Sequence, residues 1–80
     1  MVETTKKQGK VARKKIYDFI KSYIQKNKYA PTVREISEGV GFKSTSTIHM
    51  HLSKLKYMGV LTYEEKKPRT IRILRELIEK

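Results

Sequence analysis

The chain is eighty residues long and carries nineteen Lys and Arg against eight Asp and Glu, a formal charge of +11. That length allows one small domain, burying roughly 60% of the surface its unfolded form exposes; the charge points to a polyanionic partner, nucleic acid ahead of an acidic membrane surface. Cysteine is absent, which excludes a disulfide framework, a thiolate metal site and a cysteine nucleophile, and there is neither a signal peptide nor an apolar run near the roughly 18 residues of a membrane span, so a cytoplasmic protein with no membrane partner is expected.

Residues 1–9 are polar, include Lys6 and Lys7, and show no periodicity. They read as a flexible basic arm. From Lys10 the apolar residues fall at Ala12, Ile16, Phe19, Ile20, Tyr23 and Ile24, the spacing of one buried helical stripe. This predicts a first helix over 10–27, stopped where Tyr29-Ala30-Pro31 draws the chain into an extended form.

Thr32-Val33-Arg34-Glu35 has the pattern of a capping box, in which Thr32 accepts from an unpaired amide of the first turn and Glu35 reaches back to the Thr32 amide. A two-turn helix over 33–40 follows, with Val33, Ile36 and Val40 inward. Gly39 and Gly41 end it, and Gly41 is the better residue for the positive φ of a tight turn. Phe42 returns to the core. Ser44 or Ser46 caps a third helix over 45–58, with Ile48, Leu52, Leu55 and Met58 inward and Gly59 as its terminator. Val60 to Tyr63 and Thr70 to Leu74 alternate as the strands of a hairpin over 60–74, joined by the polar turn Glu64 to Pro68. Residues 76–80 form a short tail.

The expected fold is therefore mainly α with a small β-hairpin: a winged helix-turn-helix of three helices plus a two-stranded antiparallel wing, occupying residues 10–75. In such a fold the helix after the turn enters the major groove, and side chains near its start read base edges. Its outward residues are Ser44, Thr45, Ser46, Thr47, His49, Met50, Ser53 and Lys54. Hydroxyls both donate and accept, so they suit bases or phosphates, and Met50 or a Thr methyl can pack on the thymine methyl. Thr32, Arg34, Lys43, Thr45, Ser53 and Lys54 are candidates for the DNA backbone. Lys66, Lys67 and Arg69 at the wing would lie along a backbone or minor groove, and Lys6, Lys7, Lys10, Lys14 and Lys56 are further phosphate candidates.

Other chemistry finds little support. His49 and His51 lie two apart on a helix, point to different sides, and have no ligand partners nearby, so no metal is expected. His51 is read as packing between helices. The tyrosines are scattered without the layout of an RNA-recognition sheet and read as core residues with surface hydroxyls. No paired carboxylates, Gly-rich phosphate loop or Ser/His/Asp set stands out, so neither an enzyme, a cofactor nor a small-molecule substrate is expected.

From Val11 to Leu74 the chain resembles the N-terminal DNA-binding domain of LexA, the SOS repressor, in its Gram-positive form. The resemblance lies in I-x-x-F-I of the first helix, Y-A-P-T-V-R-E-I of the second, G-F-K-S-T-S-T-I-H-M-H-L through the third, and M-G-V-L and K-P-R-T-I-R-I-L in the wing. It implies that Ser44, Ser46, Thr47, His49 and Met50 stand where the family's base-reading side chains stand, and that two copies bind an inverted-repeat operator on double-stranded DNA. LexA continues into a self-cleaving, dimerising protease domain. These residues contain no Ala-Gly cleavage bond or Ser/Lys dyad, and Met50 stands where close relatives carry a smaller residue. The expectation is a sequence-specific, DNA-binding transcriptional regulator, a LexA-like repressor or its isolated DNA-binding domain, mainly monomeric without DNA. The alternatives are a winged-helix protein-interaction module, which the polar third helix disfavours, and a nonspecific nucleic-acid binder.

Overall fold

The computed structural model describes the backbone of residues 2–78 and the side chains of residues 11–78. Helix α1 spans Val2–Asn27, α2 Val33–Val40 and α3 Thr45–Tyr57, followed by strands β1 Leu61–Thr62 and β2 Arg72–Ile73. The strands pair antiparallel, Leu61 opposite Ile73 and Thr62 opposite Arg72. This is the order of a winged helix-turn-helix.

Each boundary has a local cause. The Thr32 hydroxyl accepts from the Glu35 amide at 3.1 Å, and the Glu35 carboxylate accepts from the Thr32 amide at 2.9 Å, closing the capping box at the start of α2. At its end Gly41 adopts φ 80°, and the amides of Gly41 and Phe42 both donate to Ser37 O at 3.0 Å. The buried Ser37 hydroxyl also donates to Phe42 O, so one serine ties the whole turn before α3. Gly59 (φ 78°) ends α3, and the Val60 amide returns to Leu55 O at 3.1 Å.

The core lies where the three helices meet the wing. Ile16, Tyr17 and Ile20 of α1, Ile36 of α2, Ile48, Leu52 and Leu55 of α3, and Val60, Leu61, Ile71 and Leu77 are buried together. Phe19, Ile24, Val33, Val40, Phe42 and Met58 pack against them half-buried. Each fully buried aliphatic side chain of this kind is worth about 1.5–3 kcal/mol, which lets two-residue strands persist on a helical base.

Three expectations need correcting. Helix α1 begins at Val2, so the stretch read as an arm continues the helix. No proline interrupts residues 2–10, and a single Gly9 costs only about 1 kcal/mol, less than a propagating helix tolerates. The hairpin is also shorter than 60–74: only two residues on each side pair as strand. Lys66 (φ 66°) and Arg69 (φ 60°) adopt left-handed backbone in the connection, which curls the wing tip away from a regular ladder. Finally, Leu77, placed by sequence in a tail, is buried in the core, because the chain after β2 folds back and removes this apolar side chain from water. The side chains of Lys6, Lys7 and Lys10 lie outside the described residues.

Candidate nucleic-acid interface

Helix α3 has two faces set by the 3.6-residue turn. Ile48, His51, Leu52 and Leu55 are buried on one side. Ser46, His49, Met50 and Ser53 then fall on the opposite side, and all four are exposed, Met50 at 60%. Ser44 caps the helix in an extended conformation with no hydrogen bond from its own hydroxyl to the first turn, and it too is exposed. No acidic residue stands in that first turn, so its amides and positive dipole face solvent unopposed.

The flanks of this face differ. Thr47 is half-buried and borders the shallow hollow of Ala12, Gly41, Lys43 and His51, on the side of the interhelical turn. His49 faces the other way, into a cleft of about 330 Å³ between α3, the start of α2 and the wing. Thr32 and Arg34 line that cleft from α2, and Lys66, Lys67 and Thr70 from the wing. Thr45, Ser53 and Lys54 are exposed along α3, and Lys43 is exposed in the turn before it. The residues expected to read bases thus share one helix, and most of those expected to hold the backbone frame it.

The cations are not equivalent. Lys67 pairs with Glu64 at 3.4 Å across the wing tip, both more than two-thirds exposed, a contact of little strength that a phosphate can replace. Lys56 instead lies 4.6 Å over the Tyr63 ring and donates to Tyr63 O at 3.1 Å, and Lys14 pairs with Asp18 at 3.0 Å. Arg69 turns towards α2 while its side chain stays 40% exposed: its two terminal nitrogens donate to the two Glu35 carboxylate oxygens at 3.1 and 3.0 Å. This fork holds the guanidinium protonated beyond its ordinary range. The Thr32 amide, and then Arg69, hold the Glu35 carboxyl down to about 2. His51 is buried between α3 and its neighbours, and burial, with Arg13 nearby, lowers its pKa below the usual histidine range.

Sequence reasoning missed Ser37 and the turn of Arg69 towards α2. Ser37 could have been found from its place four residues before Gly41, where a small polar side chain can satisfy a helix end. Arg69 carried no such signal, since its partner is thirty-four residues away. Among the described residues no helix is long and apolar enough to cross a membrane, and no group of three potential ligands gathers as a metal site.

A family model described as the LexA DNA binding domain matches residues 1–70. The LexA repressor of Clostridium novyi is 54% identical over 63 residues, covering 79% of this chain and 31% of that protein. That of Staphylococcus epidermidis is 44% identical over 79 residues, covering 99% of this chain and 36% of that protein. That of Listeria welshimeri is 49% identical over 59 residues, covering 74% and 29%. The chain spans about a third of the length of the curated relatives it matches. With three helices and a paired wing in the order expected, and a family match over residues 1–70, the chain belongs to the family of LexA DNA-binding domains.

Proposed function

We propose that this chain reads a specific operator on double-stranded DNA by laying α3 in the major groove, and that it acts as the DNA-binding part of a cytoplasmic SOS-type repressor. The observation that carries this reading is the exposed, mostly hydrogen-bonding face of α3, framed by the cleft and wing that bring Arg34, Lys66 and Lys67 beside it. A groove admits one helix, and short donor–acceptor side chains on its outer face can distinguish base pairs.

In this reading Ser44, Ser46, Thr47, His49 and Met50 address base edges, with Met50 suited to a thymine methyl. Thr32, Arg34, Lys43, Thr45, Ser53 and Lys54 address the backbone from the helices. Lys66 and Lys67 do so from the wing, with Arg69 beside them. The Thr32 hydroxyl accepts within the capping box, and its proton remains available to a phosphate. Two copies on an inverted repeat would place two such helices about one helical turn apart.

Selection of bound sites from random duplex DNA at physiological salt tests this directly. Recovery of an inverted repeat is the expected result. Recovery of unrelated sequences with a steep salt dependence would instead make the chain a nonspecific binder.

A further inference from the structure

The wing is held by very little regular structure. Its strands contribute two residues each, and a sheet that short does not fix its own orientation. The seven residues from Glu64 to Thr70 are closed at their base by the Thr70 hydroxyl, which accepts from the Glu64 amide at 2.9 Å and donates to Lys67 O at 3.0 Å. That closure shapes the loop but does not attach it to the helices.

Attachment comes from the residue next to Thr70. Besides the fork to Glu35, Arg69 donates to Ala30 O at 3.0 Å and lies over the Tyr29 ring, 4.8 Å from its centre. One of the two Glu35 oxygens that receive Arg69, Oε1, also accepts from the Tyr23 hydroxyl at 3.1 Å and from the Thr32 amide. One carboxylate therefore joins α1, the start of α2 and the wing. That carboxylate is held by Arg69, which lines the cleft together with Thr32, Arg34, Lys66 and Lys67. Left unpaired there it would repel a phosphate; paired with Arg69 it does not.

We propose that the Arg69–Glu35 clasp is the device that sets the wing against the helix-turn-helix, and that Arg69 serves nucleic-acid binding as a positioning residue and not as a phosphate contact. The inference rests on the reading of the chain as a DNA binder. It differs from a direct contact in a way substitution can reveal. A lysine holds a phosphate nearly as well as an arginine does, but it cannot form the two-pronged bond to a carboxylate or stack on a tyrosine in the same way. Glu35 cannot attract DNA at all.

The test uses Arg69→Lys, Glu35→Gln and the double variant Lys66→Ala/Lys67→Ala in the full chain. Glutamine at position 35 can still accept from the Thr32 amide, so the cap is retained. Backbone ¹⁵N relaxation comes first, without DNA. We expect order parameters over residues 64–70 to fall in both clasp variants while α2 and α3 keep theirs; unchanged wing order in Glu35→Gln would overturn the proposal. If Arg69→Lys does not fold, Glu35→Gln carries the comparison alone.

Affinity for the selected operator follows. Both clasp variants should bind on the order of fivefold more weakly, with the salt slope lowered by up to about two units, the share of two wing phosphates. Adding Lys66→Ala/Lys67→Ala to either should cost little more, because the wing tip that carries those lysines is already displaced while Leu61 and Ile71 keep its base in the core. A direct phosphate contact predicts the reverse: Arg69→Lys near wild type, Glu35→Gln tighter, and additive losses with the wing lysines. If the unsubstituted chain shows no operator preference, the functional reading fails, while the relaxation data still decide the clasp.

Discussion

Gly39 of α2 lies against the ring of Phe19 in α1: a Cβ at position 39 would stand 2.1 Å from Cε1 of that ring. The absence of a side chain is what lets the two helices approach there. Phe19 is itself braced by Tyr23, whose ring centre lies 5.7 Å away, so it cannot swing aside freely. Gly39→Ala should therefore destabilise the fold by about 1–3 kcal/mol through overpacking, against a gain of up to about 1 kcal/mol from alanine's helix propensity. Urea unfolding measures the net. A more stable variant would mean that the ring relocates at no cost.

Gly41 offers a contrast within three residues. Its φ of 80° is left-handed, yet nothing lies within 4 Å of a Cβ built there. Gly41→Ala should cost about 1–2 kcal/mol from backbone conformation alone, and Gly41→Asn less, since asparagine tolerates that region. Equal losses for Ala and Asn in the same unfolding assay would point to a steric cause that the structure does not contain.

Glu35 gives the domain an acid-sensitive joint. Its carboxyl is held at about 2 against an ordinary 4.5, first by the Thr32 amide and then by Arg69. As pH falls, the unfolded chain takes up this proton before the folded one does. The stabilisation is thus complete above about 4.5 and lost progressively towards about 2. Glu35→Gln should flatten the dependence of melting temperature on pH in that window and lower the plateau above it.

His51 acts in a higher window and with the same sign. Burial lowers its pKa, with a further contribution from Arg13, so the folded chain resists protonating it. Stability should be whole above the usual histidine value of 6.5 and decline as pH falls below it. His51→Gln should remove that decline. A melting temperature equally flat in both proteins would show that the imidazole reaches solvent on protonation.

How much of this was legible in the chain depends on how far each cause reaches. The span 33–40 follows from Thr32, Glu35 and Gly41, all close in sequence, and the extent of α3 from the helical spacing of Ile48, Leu52 and Leu55 and from Gly59. Those signals are local and act through backbone hydrogen bonds, so sequence carries them. The wing is different. Its strands shrink because Lys66 and Arg69 take left-handed backbone, and Arg69 turns towards α2 because Glu35, Ala30 and Tyr29 are waiting on other elements. No spacing rule encodes a partner thirty-four residues away. Leu77 joins the core for the same tertiary reason. At the interface, the outer face of α3 was visible from helical spacing, but the different surroundings of its two flanks, Thr47 towards the turn and His49 towards the cleft, became visible only once the neighbouring elements were in place.

That asymmetry shapes the last prediction, which separates base reading from backbone holding. Met50 and Ser46 stand at the centre of the exposed face, whereas Thr47 is half-buried at its edge. A lost base contact typically costs about 1–3 kcal/mol and relaxes preference at its own base pair. Met50→Ala and Ser46→Ala should therefore reduce the ratio of operator to scrambled affinity more than Thr47→Ala does. Lys54→Ala and Lys67→Ala should weaken both DNAs alike, each lowering the salt slope by about one unit, because a phosphate is the same on every sequence. Titration of both duplexes at several salt concentrations distinguishes the two classes. If Lys67→Ala changed the ratio while Met50→Ala and Ser46→Ala left it intact, discrimination would reside in the wing and not in α3, and the groove assignment would have to be reversed.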